Sequence, residues 1–270
     1  MERDTINVNR GGVMLVRAIE FLGKSIKSPL EETGKIILFF FSAVKLLLRR
    51  PFEIKNIFKQ MLEIGVNSLP VVLITALFTG MVLALQSYTG FKRFGAEGLV
   101  ASVVALSMAR ELGPVLTALI VTGRAGASMA AELGTMRVTE QIDAMETLAT
   151  NPIKYLVVPR FISGLIMLPS LTVIAVIIGI MGGYFVTVVL LGASDTAYLN
   201  TTWKYLKMQD LYNGIIKSCF FGAALTLISC YKGFFAKGGA EGVGKATTGA
   251  VVVSFMTILI SDYFLSAWLF

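Results

Sequence analysis

The chain has 270 residues, 55% of them hydrophobic and 15% charged, and a mean hydropathy of +0.75, well beyond what a soluble domain of this length carries. Its net charge of +7 comes with no histidine and only two cysteines, which excludes the usual histidine-built zinc sites and a histidine-based catalytic triad. Cys219 and Cys230 fall on one expected spanning helix, so they cannot bridge within it and no disulfide framework is expected.

In chain order, the first 30 residues are polar and lack the continuous apolar core of a cleavable signal. Ile36–Leu48 (IILFFFSAVKLLL) is too short to cross a bilayer and is bracketed by Lys35, Lys45, Arg49 and Arg50. That pattern predicts an amphipathic interfacial helix along the inner leaflet; an ordinary helix packed on the core would carry the same pattern. Residues 1–60 are therefore expected to form an N-terminal interfacial segment, and 61–270 a single membrane domain, since no repeat or low-complexity linker divides them.

About 20 apolar residues cross a bilayer as a helix. Val66–Gln86, Tyr155–Leu191 and Leu211–Tyr231 qualify directly; Gly98–Thr122 qualifies if Arg110 and Glu111 are tolerated, and Ala246–Phe270 if Asp262 is. These runs are continuously apolar rather than alternating, which excludes an outer-membrane barrel. The expected fold is an all-α integral membrane protein with five spans.

The basic charge is unevenly spread. Eleven of the 24 Lys and Arg residues precede Met61, four lie from Arg124 to Arg160 and three from Lys232 to Lys245, whereas only Lys92, Arg93, Lys204 and Lys207 fall in the two opposite loops. Cytoplasmic loops collect Lys and Arg, so the N-terminus is expected inside and the C-terminus outside. The charge orients the chain and touches anionic lipid; no basic-aromatic groove for nucleic acid is visible.

Ionisable residues inside spans cost roughly 2.5–3.5 kcal/mol each on insertion scales and usually face a cavity or a partner. Four are expected: Arg110 and Glu111 in the second span, Lys217 in the fourth and Asp262 in the fifth. At about 1.5 Å of rise per residue, all four lie from mid-membrane outward, as a polar-lined cavity open to the outer side requires. Two buried ion pairs that only fix helix packing would be placed the same way.

Between the second and third spans, Val138, Ile142, Met145 and Ala149 recur on one helical face. Glu140, Asp143 and Glu146 lie elsewhere around it, the first two where the dipole of a helix N-terminus favours them. Thr135 or Thr139 is positioned to cap this helix, and Pro152 follows its end. A short two-faced helix between spans suits a groove on another protein; its acidic residues weigh against lying flat on a negative membrane surface. The run from Gly239 through Gly244 to Lys245 imitates a phosphate-binding loop, but Ala246 stands where a hydroxyl would hold magnesium and no strand precedes it. A tight turn with Lys245 as an anchor is the expected reading, and no motif for ATP hydrolysis is present.

With these residues in place a resemblance emerges. Gly80-Met-Val-Leu-Ala-Leu-Gln86, Arg110-Glu-Leu-Gly-Pro-Val115, Gly123-Arg-Ala-Gly126, the run Ala131 to Asp143, Asn151-Pro152, Pro159-Arg160-Phe161 and Ala246-Thr-Thr248 resemble the MlaE (YrbE) family of ABC transporter permeases, from about Leu38 to Phe270. The resemblance implies a homodimer of subunits, each with an interfacial N-terminal helix and five spans, in the bacterial inner membrane. It implies a separate cytoplasmic ABC ATPase that binds ATP and magnesium, often a small STAS-domain protein, and a hexameric periplasmic MCE lipid-transfer protein.

Within that resemblance the segment about 131–152, with Glu132, Gly134, Arg137, Glu140 and Asp143, matches the coupling helix that seats on the ATPase. Arg110, Glu111, Lys217 and Asp262 match polar residues at an outward-facing phospholipid pocket, and Leu83 and Phe94 match positions facing the acyl chains; Phe94 stands where one well-known member has tyrosine. In this reading Arg110 and Lys217 attract the phosphate while Glu111 and Asp262 keep it from binding too tightly. No cofactor or metal of the chain's own is implied. A permease for a sterol or an aromatic solvent is the nearer alternative. An intramembrane enzyme or ion pathway is the farther one, and it lacks a nucleophile-base set or metal ligands.

Overall fold

The computed structural model describes residues 31, 33–47 and 53–270, and they are almost wholly helical. Helix α1 covers 33–47. The five spans are α2 (Ile54–Lys92), α3 (Glu97–Val138), α5 (Ile153–Leu190), α7 (Met208–Phe234) and α8 (Gly239–Leu269). Two short helices link them: α4 (Gln141–Thr147) between α3 and α5, and α6 (Asp195–Tyr205) between α5 and α7. The bundle thus has an α4 end, which also carries α1 and the α7–α8 turn, and an α6 end with the chain terminus at Phe270. The five expected spans are all present. Spans α2, α3 and α7 run past both of their expected limits, and α5 and α8 start earlier but end one residue short; in α3, polar residues such as Glu132 and Arg137 continue the helix beyond the apolar stretch. Residue 60, the expected segment boundary, falls inside α2.

Helix α7 lies at the centre, packed on α5, α8 and α3, while α5 also packs along α2. These contacts are built on small residues: a methyl on Gly80 of α2 would collide with the Gly179 carbonyl of α5, and one on Gly222 of α7 with the Gly164 carbonyl of α5. Glycine pairs of this kind let membrane helices touch backbone to backbone, where lipid supplies no hydrophobic drive for association. Between α7 and α8 the turn is tight but lies ahead of the expected run, with left-handed backbone at Gly238 (φ 93°) and Gly239 (φ 65°). The helix resumes at Gly239, so the glycine-rich run winds into α8 instead of forming a loop.

Helix α1 buries Phe39 and Ala43, with Phe39 edge-on to Tyr231 and Phe235, and leaves Leu38 and Phe41 exposed. One face is therefore packed and the other apolar and open; Leu48, Arg49 and Arg50 lie outside the described residues. At the opposite end Ser194 caps α6, its Oγ accepting from the Ala197 N–H at 3.4 Å. Tyr198 packs edge-on against Tyr184, and burial pushes its phenol above the ordinary range.

Candidate functional site

The most polar place within the bundle is where α3, α7 and α8 meet, between mid-span and the α6 end. It starts with a local distortion of α3. Pro114 has no N–H for the carbonyl four residues back, and the turn before it, Met108–Leu112, widens to a π-helix. Such bulges concentrate at functional sites. This one carries Arg110 and Glu111, and the Arg110 carbonyl accepts instead from Lys217 Nζ at 3.1 Å.

Lys217 is fully buried. Its ammonium also donates to Glu111 Oε2 and to Ser266 Oγ, each at 2.6 Å, and lies 2.9 Å from Asp262 Oδ1. Ser266 in turn donates toward Glu111 Oε1 at 3.0 Å and toward the Asp262 carbonyl at 2.8 Å. Every proton of Lys217 therefore has an acceptor, and no side of it is open. Arg110 sits differently: Nε and Nη2 are both 2.8 Å from Asp210 Oδ1, its guanidinium lies 4.8 Å from the Phe270 ring, and its side chain is 39% exposed. Asp210 is itself fixed by the Lys207 N–H at 3.0 Å, and Asn213 holds the Leu269 carbonyl at 2.9 Å.

The structure thus brings Arg110, Glu111, Lys217 and Asp262 into one connected cluster rather than two separate pairs. Asp210 and Ser266 belong to it, and Asn213 beside Asp210 on α7 ties down the end of α8; sequence reasoning missed all three. Their signal was helical spacing: Asp210, Asn213 and Lys217 lie three and four residues apart on one face of α7, and Asp262 and Ser266 four apart on α8. Two cations meet three carboxylates, a formal charge of +2 − 3 = −1.

Leu83 and Phe94 stand apart from this cluster, the first on α2 and the second in the turn that follows it. Leu83 lines an apolar cleft of about 440 Å³ with Ile74, Phe78, Val82 and Gln86, and Leu112 of α3, the neighbour of Glu111, closes it. Phe94 is exposed and borders a second cleft of about 600 Å³ with Gln86, Thr89 and Arg93. The two clefts share Gln86.

At the α4 end the structure corrects the expected amphipathic helix. Helix α3 runs through Val138, the chain turns at Glu140 in a left-handed conformation (φ 60°), and only Gln141–Thr147 form α4. Val138 and Ala149 therefore fall outside that helix, because two left-handed residues, Glu140 and Ala149, break the phase. Neither Thr135 nor Thr139 caps it: Glu140 holds the N-cap position without a side-chain bond, and the Thr139 hydroxyl bonds back to the Thr135 carbonyl at 2.8 Å. Ile142 is buried and Met145 packs on the core, while Leu148 projects 78% exposed. Arg137 and Asp143 pair across the turn at 2.5 Å. Gly134 meets Ala236 and Val243, and Glu132 pairs with buried Arg160 at 2.8 Å. That ion pair ties α3 to α5, and Arg160, from the Pro159-Arg160-Phe161 motif, also donates within α5 to the Leu156 carbonyl at 2.6 Å.

A profile of the Permease MlaE family matches residues 57–268, which contain the whole cluster and the turn around α4. The chain belongs to the MlaE permease family. Among its relatives, a probable ABC transporter permease protein of Rickettsia typhi is 50% identical over 257 residues, covering 95% of this chain and 99% of the relative. The intermembrane phospholipid transport system permease protein MlaE of Haemophilus influenzae is 38% identical over 264 residues, with the same coverage of each chain. The chloroplastic Arabidopsis thaliana protein TRIGALACTOSYLDIACYLGLYCEROL 1 is 38% identical over 224 residues, 83% of this chain and 64% of that one. This MlaE-family permease is accordingly a multi-pass membrane component of an ABC transporter.

Proposed function

We propose that this permease moves phospholipids between the bacterial inner membrane and a periplasmic MCE protein, so maintaining the lipid asymmetry of the outer membrane. It works as a homodimer driven by a separate cytoplasmic ABC ATPase. The α4 end faces the cytoplasm, following the Lys and Arg distribution, and presents exposed Leu148, Glu140 and Glu146 to the ATPase. The α6 end faces the periplasm. The observation that carries the reading is the apolar cleft of about 440 Å³ on α2, closed by Leu112 and continued past Gln86 by a second, more polar cleft: a lipid with one phosphate and two long chains needs an apolar channel with polar groups at one end. Likeness to a relative named for phospholipid transport supports the same substrate.

Held between Arg110, Asp210, Lys217, Glu111 and Asp262, the π-turn of α3 is the element that ATPase movement at α4 displaces, since one helix joins the two. The test is to purify the permease with its ATPase and MCE partner and identify the copurifying lipid. Phospholipid, delivered to acceptor vesicles only with ATP, is expected. A sterol or solvent in its place, or delivery that ignores ATP, overturns the proposal. Leu148→Glu is expected to keep the permease folded and to abolish ATPase recruitment.

A further inference from the structure

The cations expected to meet a lipid phosphate are already occupied. Arg110 is paired to Asp210, and Lys217 to Glu111 and Asp262; Arg124 of α3, which carried no such expectation, is likewise paired, to Glu63 at 3.3 Å. With three carboxylates to two cations, the cluster has no surplus positive charge with which to collect an anion. A phosphate must be met elsewhere along the route.

On α2 the lining of the two clefts forms a single stripe: Ile74, Phe78, Val82, Gln86, Thr89 and Arg93 follow one another at three- and four-residue steps, one helical face. The stripe is apolar at its α4-ward part and becomes polar at Gln86. Gln86 and Arg93 are exposed and make no side-chain bond or ion pair among the described residues. Thr89 spends its hydrogen on the Leu85 carbonyl at 2.8 Å and keeps its oxygen lone pairs. Arg93 is thus an unpaired cation at the mouth of an apolar cleft. At about 1.5 Å per residue, Leu83 lies about 15 Å below Arg93, which is about half of the ~30 Å hydrocarbon core. A phosphate at Arg93 therefore lays acyl chains of one leaflet down to Leu83 and Val82, while Phe78, about 22 Å below Arg93, lies past the midplane.

Resting on the proposed phospholipid reading, we propose that Arg93, assisted by Gln86, receives the phosphate of the lipid headgroup at the α6 mouth of the α2 cleft. Arginine matches the work because its planar fork binds phosphate oxygens two at a time and stays charged. An arginine that merely snorkels to the interface as an anchor makes no distinction between lipids.

The test uses the assembled transporter and two probes with identical acyl chains, phosphatidylglycerol and diacylglycerol, supplied together in equal amounts. Lipid bound per complex is read by mass spectrometry. The unaltered permease is expected to favour phosphatidylglycerol about tenfold, the size of one charge-assisted contact of about 1.4 kcal/mol. Arg93→Gln should bring that ratio close to one while diacylglycerol binding persists, and Arg93→Lys should restore part of the preference. A preference unchanged in Arg93→Gln overturns the assignment of Arg93 and leaves the phospholipid reading standing. An unaltered permease that binds neither probe removes the phospholipid reading, and this proposal with it.

Discussion

Helix α5 and helix α8 both pack on α7, and they do so by opposite means. At the α5 contact, Gly164 and Gly222 bring two backbones together with no side chain between them. At the α8 contact near the α6 end, Lys217, Asp262 and Ser266 fill the space with charge. The first contact has a single geometry and no tolerance for volume. The second is a set of strong but exchangeable partners whose arrangement can change with small movements. A transporter needs both: a frame that does not yield and a seam that can be reset.

The sharpest way to break this contrast is to add volume to the glycine contact. Gly222→Leu is expected to cost about 3 kcal/mol or more, because the Gly164 carbonyl is backbone and cannot swing aside. Loss of purified protein and a lowered melting temperature in detergent measure it. A well-behaved Gly222→Leu protein would show that α5 and α7 are not fixed against each other.

At the charged seam the expected effect is next in size. Lys217→Met strands Glu111 and Asp262 beside each other, and breaking a buried pair costs about 3–5 kcal/mol. The cost here should fall near the lower end or below it, since the Glu111 side chain is 40% exposed and can turn to water. Adding Glu111→Gln to Lys217→Met should recover part of the loss, a coupling that a thermal-melt double-mutant cycle reads directly. Recovered stability without recovered lipid transfer would separate the seam's working role from its structural one; full recovery of both would reduce the cluster to a packing device.

The frame was more legible in the sequence than the seam. Five apolar runs gave the spans because bilayer thickness and backbone hydrogen bonding leave few alternatives. The charged residues within those runs could be recognised singly, by their cost. Their partnership could not, because it depends on how three helices rotate against one another. Asp210 shows why: it lies near the start of α7, where an acidic residue reads as a helix-terminal group, and only the fold brings it against Arg110. Around α4 periodicity misled, since left-handed backbone at Glu140 and Ala149 leaves no trace in a pattern of apolar spacing. Leu83 and Phe94 were placed by resemblance alone; that they border two clefts sharing Gln86 became visible only in the fold.

A smaller expected effect concerns how the seam is held open. Pro114→Ala supplies an N–H that competes with Lys217 for the Arg110 carbonyl and lets the Met108–Leu112 turn relax toward α-helix. The net exchange of one hydrogen bond is worth about 1 kcal/mol, of either sign for stability. Transport should nonetheless fall, because Arg110 and Glu111 rotate relative to α7. A variant with unchanged lipid transfer would show that the wide turn is incidental.

The smallest expected effect uses the same chemistry in water. Lys245 and Glu241 form an ion pair at 2.6 Å one turn apart on α8, with both side chains about three-quarters exposed. Such a pair contributes about 0.3–0.5 kcal/mol and weakens with salt. Lys245→Ala should therefore shift the melting temperature by less than the error that would obscure Lys217→Met, despite an ion-pair distance equal to that of Lys217 with Glu111. Equal losses from the two substitutions would mean that solvent reaches Lys217 as freely as Lys245, and the strength of the seam could then no longer be assigned to its exclusion of water.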